Sequence, residues 1–223
     1  MSKLDDPRRR DVLKHWAVDL QYRKSPAPKA FPTSPQLRDW IVDFIGPQTP
    51  VTYLEFGVAH GDSIQFFSEK FQHEASSFTG FDSFQGLPEA WLHLPKFHFD
   101  RHGKPPISDD SRVRFVKGWF QNTVPSFLST WQRSPGKVLV HYDADLYGST
   151  LFAMTMLWPR VQEYYFLTDD FMQDDAIALF DFASAYPVEV KFLAQAGADG
   201  NGGLLPVKTF GQIRNVEFRP PDE

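Results

Sequence analysis

Strand-like apolar runs alternate with helical patterns along most of this chain, and that alternation narrows the fold more than any other feature. The runs fall at residues 52–56, 77–82, 112–117, 138–143, 164–168, 188–194 and near 205–210, with helix-spaced apolar positions between most of them. Such alternation predicts an α/β fold, a mostly parallel sheet with helices on both faces. Sheets of this kind take ligands in the crevice at the carboxyl ends of their strands. The last two runs are separated by a turn-like, glycine-bearing stretch at 197–203, so they are expected to close the sheet as an antiparallel hairpin.

Before the first of these runs lies an arm, residues 1–34, with Val12, Leu13, Trp16, Ala17 and Leu20 at helical spacing and a proline-bearing break at 25–35. This helix can pack on the core or cover a site, and it is the lid candidate. Residues 35–44 then predict a helix with Leu37, Trp40, Ile41 and Phe44 on one side and a stop at Gly46-Pro47. The remainder, 35–223, is expected to be one domain, a length ample for a sizeable core.

Charge and composition remove several function classes. Net charge is −5, but residues 1–34 hold eight Lys/Arg against four Asp, which leaves −9 on the rest and argues against tracking a phosphate backbone. Nucleic acid is therefore not an expected partner. Arg8, Arg9 and Arg10 fit a solvated face or helix start better than a binding patch. With no cysteine, a disulfide framework, a thiolate zinc site and a catalytic cysteine are excluded. No apolar run approaches the ~20 residues that span a bilayer, and the start lacks a signal-peptide core. The expectation is a cytoplasmic protein with no membrane partner.

The chemistry-bearing residues gather at strand ends. HYDADLYGST and YYFLTDDF put Asp143, Asp145, Asp169 and Asp170 at the ends of two apolar runs, and buried carboxylates are costly unless paired or bound to a cation. Upstream, the first run leads into LEFGVAHGDS, where Gly57 and Gly61 permit close backbone approach and Asp62 or Ser63 can cap the next helix. That loop is either a tight structural turn or a cofactor loop; its spacing is not the GxGxxG of dinucleotide sites. Glu55 beside it suits a ligand with a cationic group. Asp82, in FTGFDSFQGLP, can accept hydrogen bonds from ribose hydroxyls or can serve a turn. Trp119 and Phe120, in VKGWFQNTVP, can flank an adenine or pack in the core.

LEFGVAHGDS, FDSFQGLPEAW, VKGWFQNTVP, HYDADLYGST and TDDF, in this order between about residues 51 and 183, resemble the class I S-adenosylmethionine-dependent methyltransferases of the macrocin O-methyltransferase type, which methylate sugar hydroxyls on natural products. The resemblance implies a Rossmann-like, seven-stranded sheet. It implies that Glu55, Gly57, Val58, Ala59, Gly61, Asp62 and Ser63 line the methionine and ribose part of S-adenosylmethionine, with Asp82 and Ser83 at the ribose. Gly118, Trp119 and Phe120 would lie near the adenine, and Asp143 beside the cofactor. It implies further that Asp143, Asp169 and Asp170 bind Mg²⁺ and that Asp145 is the general base. The partner would be a small-molecule acceptor, a sugar or polyol-bearing metabolite. The arm is short for a sugar enzyme, so covering elements are reduced here or come from another copy in a homo-oligomer.

This assignment has a chemical rationale. An aliphatic hydroxyl is a poor nucleophile at neutral pH, and a hard cation on its oxygen lowers its pKa. Oxygen-only donors suit Mg²⁺. Competing readings remain at single residues. Asp143 and Asp145 can cap a strand and start the following helix, and Asp174 and Asp175 can serve a first helical turn. His141, on the strand face leading to Asp143, is a core histidine or an auxiliary catalytic base. His93, His98 and His102 carry no firm metal-ligand pattern and suit substrate contact or surface exposure. Alternative functions are a Mg-dependent catechol or phenol O-methyltransferase, from which Asp169-Asp170 departs where Asp-Asn is expected, and a non-catalytic S-adenosylmethionine-binding protein.

Overall fold

A computed structural model of the chain describes residues 7–21, 28–197 and 207–216. The side chains of Ala17 and Leu20, residues 1–6 and 22–27 of the arm, and the turn expected at 198–203 lie outside the described residues. In chain order the elements are α1 (Pro7–Gln21), β1 (Lys29–Phe31), α2 (Ser34–Ile45), β2 (Val51–Phe56), α3 (Asp62–Lys70), β3 (Ser77–Asp82), β4 (Val113–Lys117), α4 (Phe120–Thr130), β5 (Lys137–Tyr142), α5 (Tyr147–Leu157), β6 (Glu163–Thr168), α6 (Ala176–Ala185), β7 (Val188–Ala196) and β8 (Lys208–Asn215). A wide helical turn, Phe171–Asp175, precedes α6 and is broken at Gln173.

The strands form one sheet in the order β1-β7-β8-β6-β5-β2-β3-β4. Strands β6, β5, β2, β3 and β4 are mutually parallel, whereas β8 runs antiparallel to both of its neighbours. The expected antiparallel pairing of the last two strands is present, and β8 inserts between β6 and β7. Among the described residues the sheet has eight strands rather than the seven expected. The extra one is β1, three residues in the proline-bearing segment that pair in parallel with the edge of β7. So short a strand, between prolines and with no period-two apolar pattern, is recruited by an open sheet edge rather than by its own propensity.

Alternation along each strand splits the core in two. On one face Leu54, Phe56, Val140, Tyr142 and Phe166 pack with Trp16 of α1, Leu128 of α4, Met154 of α5 and Leu179 of α6. On the other, Val51, Tyr53, Leu139 and Leu167 pack with Leu37 and Ile41 of α2 and Phe67 of α3. Strand order reverses between β2 and β5, because β2 leads outward to β3 and β4 while β5 leads the other way to β6. This switch point opens a crevice beyond the ends of β2 and β5.

The helix of the N-terminal arm is anchored to the domain. Trp16 is 3% exposed, lies edge-on to Phe180 and Phe192, and donates its indole N–H to the Ala176 carbonyl at 2.8 Å. Truncation would remove a large buried ring and its hydrogen bond, so Trp16→Ala should cost about 3–5 kcal/mol in urea melts, and Trp16→Phe distinctly less.

Candidate active site

Three loops reach the crevice side by side because the ladder of hydrogen bonds continues past the strand ends. Phe56 pairs with Tyr142, and Tyr142 with Thr168. One residue further, Asp143 N donates to Phe56 O at 2.9 Å and Asp169 N to Tyr142 O at 3.1 Å. Gly57, Asp143 and Asp169 therefore form the next row of the sheet. Gly57 has φ +93°, and a Cβ there would lie 1.8 Å from the Asp143 carbonyl oxygen, so only glycine permits this approach.

The row opens on a cavity of about 800 Å³. Of the residues singled out in the sequence, Gly57, Val58, Ala59, Asp82, Ser83, Trp119, Phe120, Asp143, Asp145, Asp169 and Asp170 line it. Asp82 organises the first loop: one carboxylate oxygen accepts from Val58 N and Ala59 N, each at 2.9 Å, and the other from Phe84 N at 2.7 Å. A carboxylate offers roughly four acceptor sites, so Asp82 keeps about one for a ligand hydroxyl. It braces the loop and still presents an acceptor to the cavity.

Other expected residues lie off the cavity. Gly61, at φ +85°, caps α3 and starts it with Asp62 and Ser63, and none of the three is in the lining. Gly118 is held by its N–H to Asp82 O at 2.9 Å, behind Trp119. Glu55, placed beside a cationic ligand on sequence grounds, is 1% exposed and outside the lining; it accepts a hydrogen bond from Tyr53 Oη at 2.9 Å. His141 is fully buried, so it does not meet the cavity as an auxiliary base would. Its Nδ1 lies 3.0 Å from Tyr53 Oη and its Nε2 3.4 Å from Asp169 Oδ1. Depth along the strands explains both corrections: Glu55 and His141 are paired residues two rows inside Gly57 and Asp143, far enough from the strand ends to be covered.

One buried chain of contacts links these residues. Burial raises Glu55 to about 8 and holds His141 below its ordinary value. Tyr53 Oη, which donates to Glu55, also meets His141 Nδ1, and His141 Nε2 reaches Asp169 Oδ1. Burial opposes the charge on Asp169, but the His141 hydrogen bond and the ammonium of Lys208 together keep it ionised, well below the usual carboxylate range.

The remaining carboxylates are crowded. Asp143 is driven well above its ordinary value by burial and then by the charges of Asp169 and Glu55. Burial and the neighbouring, hydrogen-bonded Asp170 raise Asp145 to about 8. Asp145 also adopts φ +61°, a strained backbone for a non-glycine residue, which turns it toward the acidic cluster. Behind them Asp175, raised to about 7 by burial, accepts from Thr150 Oγ1 at 2.8 Å, and Asp174 accepts from Tyr147 N at 3.3 Å and lies 3.5 Å from Arg9. Both brace the turn after Asp170; in the sequence they read only as first-turn residues.

Oxygen atoms of Asp143, Asp169 and Asp170 all lie within 4.8 Å of one another, so a common point exists within about 2.8 Å of all three. Closure by some tenths of an ångström reaches the 2.0–2.6 Å range of Mg²⁺ and Ca²⁺ ligands. The donor set and its excess negative charge fit a hard divalent cation. Glu55, His141 and Asp143 form a second such group, but its first two members are occupied by Tyr53. The three loop histidines join neither group. Leu87, Trp91, Lys96, Phe97 and Phe99, from the long connection between β3 and β4, complete the cavity wall and were not singled out in the sequence. Among the described residues no helix is long and apolar enough to cross a membrane.

The comparisons with known proteins agree with this geometry. Residues 98–190 match the profile of the Macrocin-O-methyltransferase (TylF) family. Among curated proteins, the chain is 27% identical to a demethyldecarbamoylnovobiocin O-methyltransferase of Streptomyces niveus, with 66% of each chain covered. It is 29% identical to the 8-demethyl-8-(2,3-dimethoxy-alpha-L-rhamnosyl)-tetracenomycin-C 4'-O-methyltransferase of Streptomyces olivaceus, over 48% of this chain and 47% of that one. The matches thus span just under two thirds of the first relative and about half of the second. In fold, the chain resembles the crystal structures of a calicheamicin methyltransferase (TM-score 0.50, 16% identity, 93% of each chain covered) and of an O-methyltransferase from Bacillus cereus in complex with SAH (TM-score 0.51, 13% identity, 95% and 92% covered).

The raised carboxylates set a pH dependence for metal-free protein. Glu55, Asp145 and Asp175 hold their protons more tightly folded than unfolded, so the folded state binds extra protons between about pH 5 and pH 8, and stability falls as pH rises through that window. Thermal melts of chelator-treated protein should show Tm lower at pH 8.5 than at pH 6 by roughly 5 °C or more, with Mg²⁺ restoring much of the loss at the higher pH.

Proposed function

We propose that this chain, which is of the macrocin O-methyltransferase type, is an S-adenosylmethionine-dependent, Mg²⁺-assisted O-methyltransferase acting on a hydroxyl of a sugar or other natural-product diol. The observation that carries the reading is the convergence of Asp143, Asp169 and Asp170 in the cavity that Gly57, Asp82 and Trp119 also line. The names of the two Streptomyces relatives, one of them specifying a rhamnosyl compound, support the acceptor class. A cmcI structure holding Mg and SAM, similar in fold at TM-score 0.51 with 14% identity over 82% of this chain and 71% of that one, is compatible with the metal.

Each residue then has a task. Asp82 accepts from one ribose hydroxyl while holding the Val58–Ala59 loop against the cofactor, and Trp119 and Phe120 flank the adenine. Asp143, Asp169 and Asp170 hold the cation, with Asp169 kept ionised by His141 and Lys208. When bound, the cofactor supplies an electrophilic methyl group and the cation acidifies a nearby hydroxyl. Asp145 accepts the hydroxyl proton at its carboxylate; a group tuned to about 8 is well matched to that role near neutral pH, once positive charge beside it favours its ionised form. The helix of the N-terminal arm contributes no lining residue among those described; Arg9 instead reaches Gln173 at 2.8 Å and braces the turn that follows Asp170.

Titration calorimetry with S-adenosylhomocysteine should give saturable binding; absence of heat and of a thermal shift at millimolar ligand would remove the cofactor from the reading. In methyl-transfer assays, chelation or Asp170→Ala should lower kcat at least ~100-fold while leaving S-adenosylhomocysteine affinity within about threefold, and Asp145→Asn should lower it ~10²–10⁴-fold. Turnover that persists in strong chelator and in Asp170→Ala would take the metal out of the mechanism.

A further inference from the structure

Arg9 belongs to α1, in the arm that precedes the sheet, yet it is only 3% exposed. A buried guanidinium is costly unless its charge and its donors are both taken up. Its partners lie together on one turn. Arg9 Nη1 stands 3.5 Å from Asp174 Oδ1, and Nη2 donates to Gln173 Oε1 at 2.8 Å and to Met172 O at 3.3 Å. All three belong to the wide turn Phe171–Asp175 that follows Asp170, and Gln173, at ψ −123°, is the residue at which that turn departs from helical geometry. The arm therefore grips the turn at its break.

The grip extends to the other acidic loop. Asp174 accepts from Tyr147 N at 3.3 Å through its second oxygen, and Tyr147 opens α5 two residues after Asp145. Tyr147 Oη donates to Asp181 Oδ2 at 2.7 Å, the same oxygen that accepts from Arg8 at 2.6 Å. Asp175 joins the same two segments, since it accepts from Thr150 Oγ1 at 2.8 Å and from Asp170 N at 3.4 Å. The loop that carries Asp143 and Asp145 is thus tied to the loop that carries Asp169 and Asp170, and Arg9 holds one of the ties from outside. Neither Arg9 nor Gln173 nor Asp174 lines the cavity, so none of them meets a ligand there.

We infer that Arg9 is a positioning residue that sets which divalent cation the Asp143, Asp169 and Asp170 group prefers, by fixing the spacing of the two loops that supply the ligands. This rests on the metal reading above and adds to it a determinant of selectivity. Mg²⁺ demands near-octahedral oxygens at about 2.0–2.1 Å, whereas Ca²⁺ accepts looser geometry at about 2.3–2.6 Å. A turn held at one spacing discriminates between the two ions, and a loosened turn costs the smaller one more. Partners that orient metal ligands typically contribute about 10–100-fold to affinity, and Arg9, acting one step further out, is expected to contribute less. Charge alone gives a different signature. Loss of a positive group near the cluster changes the attraction for both divalent ions alike, so it cancels in the ratio of their affinities.

The test is displacement of bound Mn²⁺ from full-length protein by Mg²⁺ and by Ca²⁺. The ratio of Mg²⁺ to Ca²⁺ affinity should fall at least ~5-fold in Arg9→Met and ~2–5-fold in Arg9→Lys, which keeps the charge but loses the fork. Gln173→Ala, which keeps the ion pair to Asp174 and loses the 2.8 Å hydrogen bond, should lower it ~2-fold and carries the test if neither Arg9 variant folds. Val12→Ala removes buried apolar packing from the same helix, so it should lower Tm and leave the ratio unchanged. A wild-type ratio in the folded Arg9 variants, or an equal shift in Val12→Ala, overturns the inference while the metal reading stands. If the wild-type protein binds no Mn²⁺ at millimolar concentration, the metal reading falls and this inference falls with it.

Discussion

Gly57, Asp143 and Asp169 continue three neighbouring parallel strands in register, so the sheet itself delivers carboxylates into one crevice and then has to hold them there. Like charges at that separation repel strongly in a medium poorer than water in screening. The surrounding architecture answers this repulsion. Lys208 from the inserted antiparallel strand pairs with Asp169, His141 Nε2 meets it from within the strand, and Asp145 is hydrogen-bonded to Asp170. A divalent cation would replace these partial remedies with one larger charge.

Depth along the strands divides the labour. Inside the edge, the chain from Glu55 through Tyr53 and His141 is buried, so it supports Asp169 without lining the cavity. Above the edge, Gly57, Asp82 and the long β3–β4 loop form the walls of an 800 Å³ cavity. Position relative to the strand end separates the two roles. Residues two rows inside support the carboxylates, and residues at and beyond the strand ends line the cavity.

Several features were readable from local pattern. The strands after the arm fall within a few residues of their expected places, since apolar runs bounded by turn residues are strong signals in parallel sheets. Asp143, Asp169, Asp170 and Asp82 were legible because acidic residues directly after such runs must lie at the carboxyl edge. Strand β1 was not legible, because its three residues form a strand only when β7 offers an edge. Nor was the burial of Glu55, which its place beside the turn does not reveal, whereas the core reading of His141 fits its full burial.

The sequence by itself determined the class of sheet, the end at which the chemistry gathers and the oxygen character of its donors, because periodicity and residue type act over a few positions. Only the tertiary structure decided how those donors share charge and what surrounds them. Lys208 reaches Asp169 across 39 positions of chain, and Arg9 reaches Gln173 across 164. The aromatic wall of Phe97 and Phe99 depends on a loop folded back upon Gly86. Contacts of that separation arise from packing of the whole sheet, and no local propensity encodes them.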